Sequence, residues 1–195
     1  MHGVETTAQA LGAAAAWLLT PEAAAVGRWT LAVTFIWSAV VKLRTPRLAA
    51  VALMNFRLTS EVRPSLGLAL GLLELALAVG LAAGTAFAAA TAAAVLWTFG
   101  VALLRAYVGG NPMPCYCFGD DEEPIGRATI VRTSLLASLA TAIALTQAPR
   151  PGIVGDGVAL VIATALVATG ALLRVLQRLP ALTVHDHGTL QRLGS

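Results

Sequence analysis

Five apolar stretches, each long enough to cross a bilayer as a helix, constrain the fold of this chain more than any other feature. A transmembrane helix needs about 20 largely apolar residues. Each stretch holds one charged residue at most, and the five stretches are Ala23–Val41, Leu66–Ala83, Ala86–Leu104, Ala128–Thr146 and Gly157–Leu173. The sequence therefore predicts an all-α integral membrane protein with five transmembrane helices.

The composition excludes several classes of protein. Hydrophobic residues make up 57% of the chain and charged residues only 12%, about half the charged share of an ordinary soluble domain. The net charge of +3 is better explained by basic loops on one side of a membrane than by nucleic-acid binding. We therefore exclude a soluble enzyme, a disordered tail and a nucleic-acid-binding module, and expect membrane lipids as the surroundings.

Composition and turn residues divide the chain into four regions. Residues 1–22 form an N-terminal segment, in which the apolar run Ala8–Leu19 is too short to span a membrane and predicts an interfacial helix. A cleaved signal peptide over residues 1–26 is the alternative. Residues 23–146 hold the first four spans, residues 147–179 hold the fifth, and residues 180–195 form a polar C-terminal tail.

Local signals predict where individual helices begin and end. Thr20 followed by a proline is typical of an N-cap with proline at the first helical position, so it predicts the start of the first long helix. Pro46–Leu58 mixes arginines with large apolar residues, which is typical of a helix lying in the membrane interface. Pro64 predicts the first turn of the second span, and Gly84-Thr85 predicts a tight hairpin after it.

The distribution of lysine and arginine predicts the orientation. With five spans, all but two of the 13 basic residues fall on one side of the membrane, and only Arg28 and Arg150 fall on the other. Cytoplasmic loops carry an excess of lysine and arginine. The distribution therefore predicts an N-terminus outside the cell membrane and a C-terminus in the cytoplasm, with the loop between the third and fourth spans also cytoplasmic.

The only two cysteines of the chain lie one residue apart in that loop. Cys115 and Cys117 stand among prolines and glycines at 109–124, so the backbone can turn and bring the two thiols to bonding distance. A disulfide that closes so small a ring is strained, and strained disulfides tend to be exchangeable rather than structural. The spacing favours a redox pair, while a metal site and a structural role stay open as alternatives.

The metal alternative has one concrete form. His185 and His187 lie in the C-terminal tail, on the same side of the membrane as the cysteine loop in the predicted topology. Together with Cys115 and Cys117 they would supply the four nitrogen and sulfur ligands of a tetrahedral zinc site. The spacing within each pair is shorter than in common zinc modules, so solvated tail histidines are the preferred interpretation.

One acidic residue lies in the middle of a predicted span. Glu74 is the only charge in the second span, and a charge at mid-membrane depth needs a partner, a proton or a cavity. Lys42, near the end of the first span, and Arg132, near the start of the fourth, are the candidate partners by depth. Glu74 either forms a buried pair that fixes the helix order or moves a proton during electron transfer.

These motifs together resemble those of the MauE family of membrane proteins, which includes methylamine-utilisation proteins and is similar to the DoxX-like membrane proteins. The resemblance runs from about Trp29 to Leu145. Its motifs follow the spans in order, and they are Lys42-Leu43-x-x-Pro46, Glu74, Cys115-x-Cys117-Phe118-Gly119, Pro124 and Arg132. The resemblance implies a compact helical bundle of four core transmembrane helices, to which this chain adds a fifth C-terminal span.

The resemblance also implies a function. Members are associated with a thioredoxin-like partner and with maturation of a disulfide-containing client, so Cys115 and Cys117 would be the redox pair, with Glu74, Arg132 and Lys42 as supporting charges. We expect a membrane thiol–disulfide redox protein that exchanges electrons with a thioredoxin-like protein. No cofactor is evident in the sequence, and a lipid quinone is a candidate redox partner by analogy alone. The alternatives are a non-enzymatic assembly or scaffold factor and a small metal-handling transporter.

Overall fold

The regular structure of the described part of the chain is entirely α-helical, as the sequence predicts. A computed structural model describes residues 20–56, 59–110, 125–146 and 152–192, with side chains up to residue 172. The six helices, in chain order, are α1 Pro21–Arg44, α2 Pro46–Asn55, α3 Pro64–Ala82, α4 Ala86–Val108, α5 Arg127–Thr146 and α6 Gly152–Arg192.

Five of these helices are long and apolar enough to cross a membrane. They are α1, α3, α4, α5 and the first part of α6, Gly152–Leu172. The five predicted spans are thus confirmed, with ends that differ by a few residues. α2 forms within the predicted interfacial helix Pro46–Leu58. The interfacial helix expected at Ala8–Leu19 lies outside the described residues.

The helix ends follow the local signals in the sequence. The side chain of Thr20 accepts a hydrogen bond from the backbone N–H of Ala23 at 3.3 Å, and this caps α1. Thr85 caps α4 in the same way, because its side chain accepts from the N–H of Ala88. Between α3 and α4, Gly84 adopts a φ of +65°, which glycine takes at no steric cost. The predicted start of the first span and the predicted hairpin are both present.

The fifth span starts earlier than predicted and ends at Leu172, next to the predicted end at Leu173. α6 begins at Gly152, so Asp156 lies inside the helix rather than in the connection before it. The acidic residue is tolerated there because Arg28 of α1 binds its carboxylate. Beyond the span the helix continues to Arg192.

The first four spans form a four-helix bundle. α1 packs most extensively against α3, and α4 against α5, while the two pairs meet through α3–α4 and α1–α5 contacts. α6 packs against α1. Glycine allows the closest approach: a Cβ at Gly67 of α3 would lie 2.2 Å from the carbonyl oxygen of Pro46. Gly71, one turn later, packs against Leu43 of α1. The small residues of α3 therefore serve packing within one chain.

The two ends of the bundle have different interiors. At the hairpin end, where α3 turns into α4, alanines of α4 pack against leucines of α1 and α3. At the opposite end, here called the loop end, residues 109–126 connect α4 to α5. There Leu103 and Ile125 are buried, with Phe56 and Phe99 packed against them. A cavity lies between these two clusters.

Candidate functional site

Cys115 and Cys117 lie outside the described residues, but both ends of their loop are described. Gly110 follows α4 with a φ of +66°, and its N–H donates to the carbonyl oxygen of Tyr107 at 3.2 Å. The hydroxyl oxygen of Tyr107 accepts a hydrogen bond from Nε of Arg127, the first residue of α5, at 3.1 Å. This contact holds the start and the end of the cysteine loop together at the loop end of the bundle.

Inside the bundle, three polar side chains form a closed hydrogen-bonded group, here called the triad. The ammonium of Lys42 lies 2.9 Å from Oε1 and 3.0 Å from Oε2 of Glu74. It also donates to the hydroxyl oxygen of Ser38, one turn earlier on α1, and Ser38 hydrogen-bonds Glu74 as well. Ser38, Lys42 and Glu74 are all at most 8% exposed, so the triad is a buried polar group within an apolar bundle.

The triad explains how a mid-membrane carboxylate is tolerated. A charge at the centre of a span costs about 3 kcal/mol on insertion scales, and an opposite charge at hydrogen-bond distance offsets that cost. Of the two partners expected for Glu74, Lys42 is the one that binds its carboxylate. Arg132 lies half-buried in α5, next to the buried Thr133.

A cavity lies beside the triad at the centre of the bundle. It measures about 90 Å³. All four helices of the bundle contribute to its wall, which is mostly apolar. Phe35 of α1, Leu70 of α3, Phe99 of α4 and Leu136 of α5 are among the lining residues. The triad supplies a small polar region in this wall.

One aromatic side chain connects the cavity with the loop end. Phe99 lines the cavity, and its ring meets the ring of Phe56 edge to face with 5.6 Å between centroids. Leu103 and Ile125 complete this apolar cluster. Ile125 is the first described residue after the cysteine loop. The cavity and the end of the loop are therefore in contact with the same small group of side chains.

A second, partly buried ion pair was not predicted from the sequence. The carboxylate of Asp156 in α6 accepts hydrogen bonds from the guanidinium of Arg28 and from the indole Nε1 of Trp29, the latter at 3.3 Å. Arg28 is 5% exposed, although the charge count treats it as a residue of the outer side. The sequence indicates only that Arg28 and Asp156 are opposite charges on the same predicted side of the membrane, and no motif predicts that α1 and α6 are neighbours.

The residues of the metal alternative are described only in part. The backbone of His185 and His187 belongs to α6, while their side chains and the residues Cys115 and Cys117 lie outside the described set. Among the described side chains, no three of His, Cys, Asp or Glu come close enough together to hold a metal ion. Of the predicted site residues, the structure thus brings together Lys42 and Glu74, and the cysteine pair stays a prediction.

Comparison with known proteins identifies a family. The family model described as Methylamine utilisation protein MauE matches residues 20–147, which is more than half of the chain. The matched range contains α1 to α5, the triad and the cysteine loop, and it ends before α6. No curated protein and no solved structure matches the chain. The chain is therefore a multi-pass membrane protein that belongs to the MauE family, which is linked to methylamine utilisation.

Proposed function

We propose that this protein is a membrane thiol–disulfide redox protein, in which Cys115 and Cys117 cycle between dithiol and disulfide. The observation that carries the proposal is the family match across the whole four-helix bundle, because the matched range includes the loop with the only two cysteines of the chain. The proposed partner is a thioredoxin-like protein, and the proposed role is maturation of a disulfide-containing client.

The proposed exchange proceeds through a mixed disulfide. The thiolate of one cysteine attacks a sulfur of the partner's disulfide, so that one S–S bond forms between the proteins and the partner's own bond breaks. The second cysteine then attacks the mixed disulfide and releases the partner as a dithiol. Two electrons pass from the cysteine pair to the partner, and the same steps in reverse reduce the cysteine pair.

Charged residues at the loop end support this chemistry. Arg127 and Arg132 place two guanidinium groups in the first two turns of α5, where the chain returns from the cysteine loop. A nearby cation favours the thiolate form of a cysteine, which is the nucleophile in exchange. The triad has a structural part in the proposal, because the Lys42–Glu74 pair links α1 to α3 inside the same bundle.

The proposal is tested by trapping the partner in cells that make both proteins. Replacing the resolving cysteine leaves the mixed disulfide without its second nucleophile, so it accumulates. We expect that either Cys115→Ser or Cys117→Ser carries a covalently bound thioredoxin-like protein that a reductant releases, and that the double variant carries none. If neither single variant traps a partner and the double variant supports client maturation as the wild type does, the protein acts as an assembly factor instead.

A further inference from the structure

We propose that the short helix α2, together with the end of α1, binds the headgroup of an anionic phospholipid. The site consists of Arg44 at the end of α1 and of Arg47 and Met54 on α2, here called the basic face. The side chains of all three residues are described and exposed. The proposal does not involve the cysteine pair, so it stands or falls independently of the thiol–disulfide function.

Contacts with α3 place the start of α2 at the membrane boundary. Leu43, near the end of α1, packs against Gly71 of α3, and Pro46, the first residue of α2, packs against Gly67. The chain therefore runs toward the start of α3 as it passes from α1 into α2. Because Pro64 begins α3 and Gly67 lies in its first turn, α2 begins at the level where this span reaches the membrane surface.

The two sides of α2 differ in exposure and in chemistry. Ala49 and Ala52 are buried, at 3% and 8% exposed. Arg47 and Met54 are exposed, and they lie seven positions apart, which places them on one face of the helix, opposite the buried alanines. An exposed arginine beside an exposed apolar side chain is typical of an interfacial helix, in which the charged group reaches the headgroups and the apolar group contacts acyl chains.

The basic face lacks a counter-charge among the described side chains. Residues 42–63 include five basic residues and one acidic residue, Glu61. The carboxylate of Glu61 binds Arg63. Arg44 and Arg47 form no ion pair with any described carboxylate, and α2 contains no acidic residue. Two arginines three residues apart at the membrane surface therefore favour an anion from the surroundings.

A lipid phosphate suits this face better than a soluble anion does. The guanidinium group of arginine offers paired N–H donors that match two oxygens of one phosphate, and basic residues next to a membrane are attracted to anionic lipids. The surface around the arginines is also apolar. Met54 is 37% exposed, and Leu66 and Leu68 in the first two turns of α3 are 36% and 41% exposed. The acyl chains of a lipid can cover such a surface, whereas a free phosphate ion cannot.

Native mass spectrometry of the purified protein in detergent tests the site. The probes are dioleoylphosphatidylglycerol and dioleoylphosphatidylcholine, which share their acyl chains and differ in net charge. We expect the first phosphatidylglycerol to bind about tenfold more tightly than the first phosphatidylcholine, and a large excess of glycerol phosphate, which lacks acyl chains, to leave it bound. Displacement by glycerol phosphate would assign the site to a soluble anion, and equal binding of the two lipids would overturn the proposal.

Matched variants separate the basic face from the general positive charge of the loop end. Arg47→Gln and Arg63→Gln each remove one charge from the same connection, but Arg63 already binds a carboxylate. We expect Arg47→Gln to lower the preference for phosphatidylglycerol about fivefold, and Arg63→Gln to leave it unchanged. Arg44→Lys/Arg47→Lys keeps both charges but loses the paired donors, so it should retain only part of the preference, and it takes the place of Arg47→Gln should that variant not fold. An equal loss in Arg47→Gln and Arg63→Gln would show that overall charge, and not this face, selects the lipid.

Discussion

At the residue scale, the Lys42–Glu74 pair dominates the polar interior of the bundle. The sequence already requires a partner for Glu74, because a lone carboxylate is costly at mid-membrane depth. Predicted depth in the membrane does not distinguish Lys42 from Arg132 as the partner of Glu74, since both side chains can reach the depth of that carboxylate. The choice follows from packing: Gly71, one turn before Glu74, lets the backbone of α3 approach α1 next to Lys42.

Removing one member of this pair should destabilise the protein more than removing both. We expect Glu74→Gln and Lys42→Met to insert normally, but each to lower stability by about 3–5 kcal/mol, because a buried charge is left without its partner. The Lys42→Met/Glu74→Gln double variant should regain part of that loss. Thermal unfolding in detergent measures all three.

The exposed pair of Glu61 and Arg63 provides the control. Both side chains are 66% exposed, with 2.9 Å between their charged atoms, and exposed pairs contribute little to stability. Glu61→Gln should therefore unfold at the wild-type temperature. A Glu74→Gln variant that is as stable and active as the wild type would show that the Lys42–Glu74 ion pair does not stabilise the protein.

At the element scale, the sequence predicts the positions of the helices well, but it does not predict which helices contact each other. The spans follow from runs of about 20 apolar residues, and capping residues such as Thr20 and Thr85 fix their starts. Which helices touch depends on side-chain shape across the bundle, and no single stretch of sequence contains that information. The early start of α6 is missed for the same reason, since Asp156 is acceptable in a span only once Arg28 is seen beside it.

Packing of α3 against α2 should depend on the absence of a side chain at Gly67. In Gly67→Ala the new Cβ would overlap the carbonyl oxygen of Pro46, so α2 must shift, and we expect a loss of about 1–3 kcal/mol in stability. Gly170→Ala in α6 is the control, because no atom lies within 4 Å of a Cβ there. Equal unfolding temperatures for the two variants would contradict the observed approach of α2 and α3.

The Arg28–Asp156 pair should hold α6 on the bundle. Asp156→Asn leaves the guanidinium of Arg28 buried without its counter-charge, so we expect a loss of about 3 kcal/mol or more in stability. The charge reversal Arg28→Asp/Asp156→Arg should recover part of it. Thermal unfolding of the two single variants and of the double variant measures this recovery. If the stability loss of the double variant equals the sum of the losses of the single variants, the two residues are not coupled.

At the scale of the whole molecule, the cavity at the centre of the bundle is linked through Phe99 to Ile125, the first described residue after the cysteine loop. The family motifs predict Cys115, Cys117 and Glu74 as site residues, but the sequence gives no indication of a cavity. The cavity is the space left between two helix pairs. Its volume depends on side chains, such as Phe99, from all four helices of the bundle. Such a feature emerges only from the assembled bundle.

The topology of the assembled molecule is testable through the cysteines. The charge distribution predicts that Cys115 and Cys117 lie in the cytoplasm, a reducing compartment where thiols persist. A membrane-impermeant maleimide should therefore label them only after the membrane of the cells is opened. As the control, Ala83→Cys at the exposed hairpin of a cysteine-free variant should be labelled in intact cells. The opposite pattern would place the loop outside and give the pair an oxidising environment.

Counting alkylated thiols tests the redox role of the cysteine pair most directly. Purified protein is treated with a mild oxidant, alkylated with and without prior reduction, and weighed by mass spectrometry, with Cys115→Ser and Cys117→Ser as controls. Because the two thiols should join in a reversible disulfide, we expect no alkyl group before reduction and two after it, while each single variant carries one. Full alkylation of both thiols after oxidation, together with stoichiometric zinc in the purified protein, would contradict the redox function and favour the metal site.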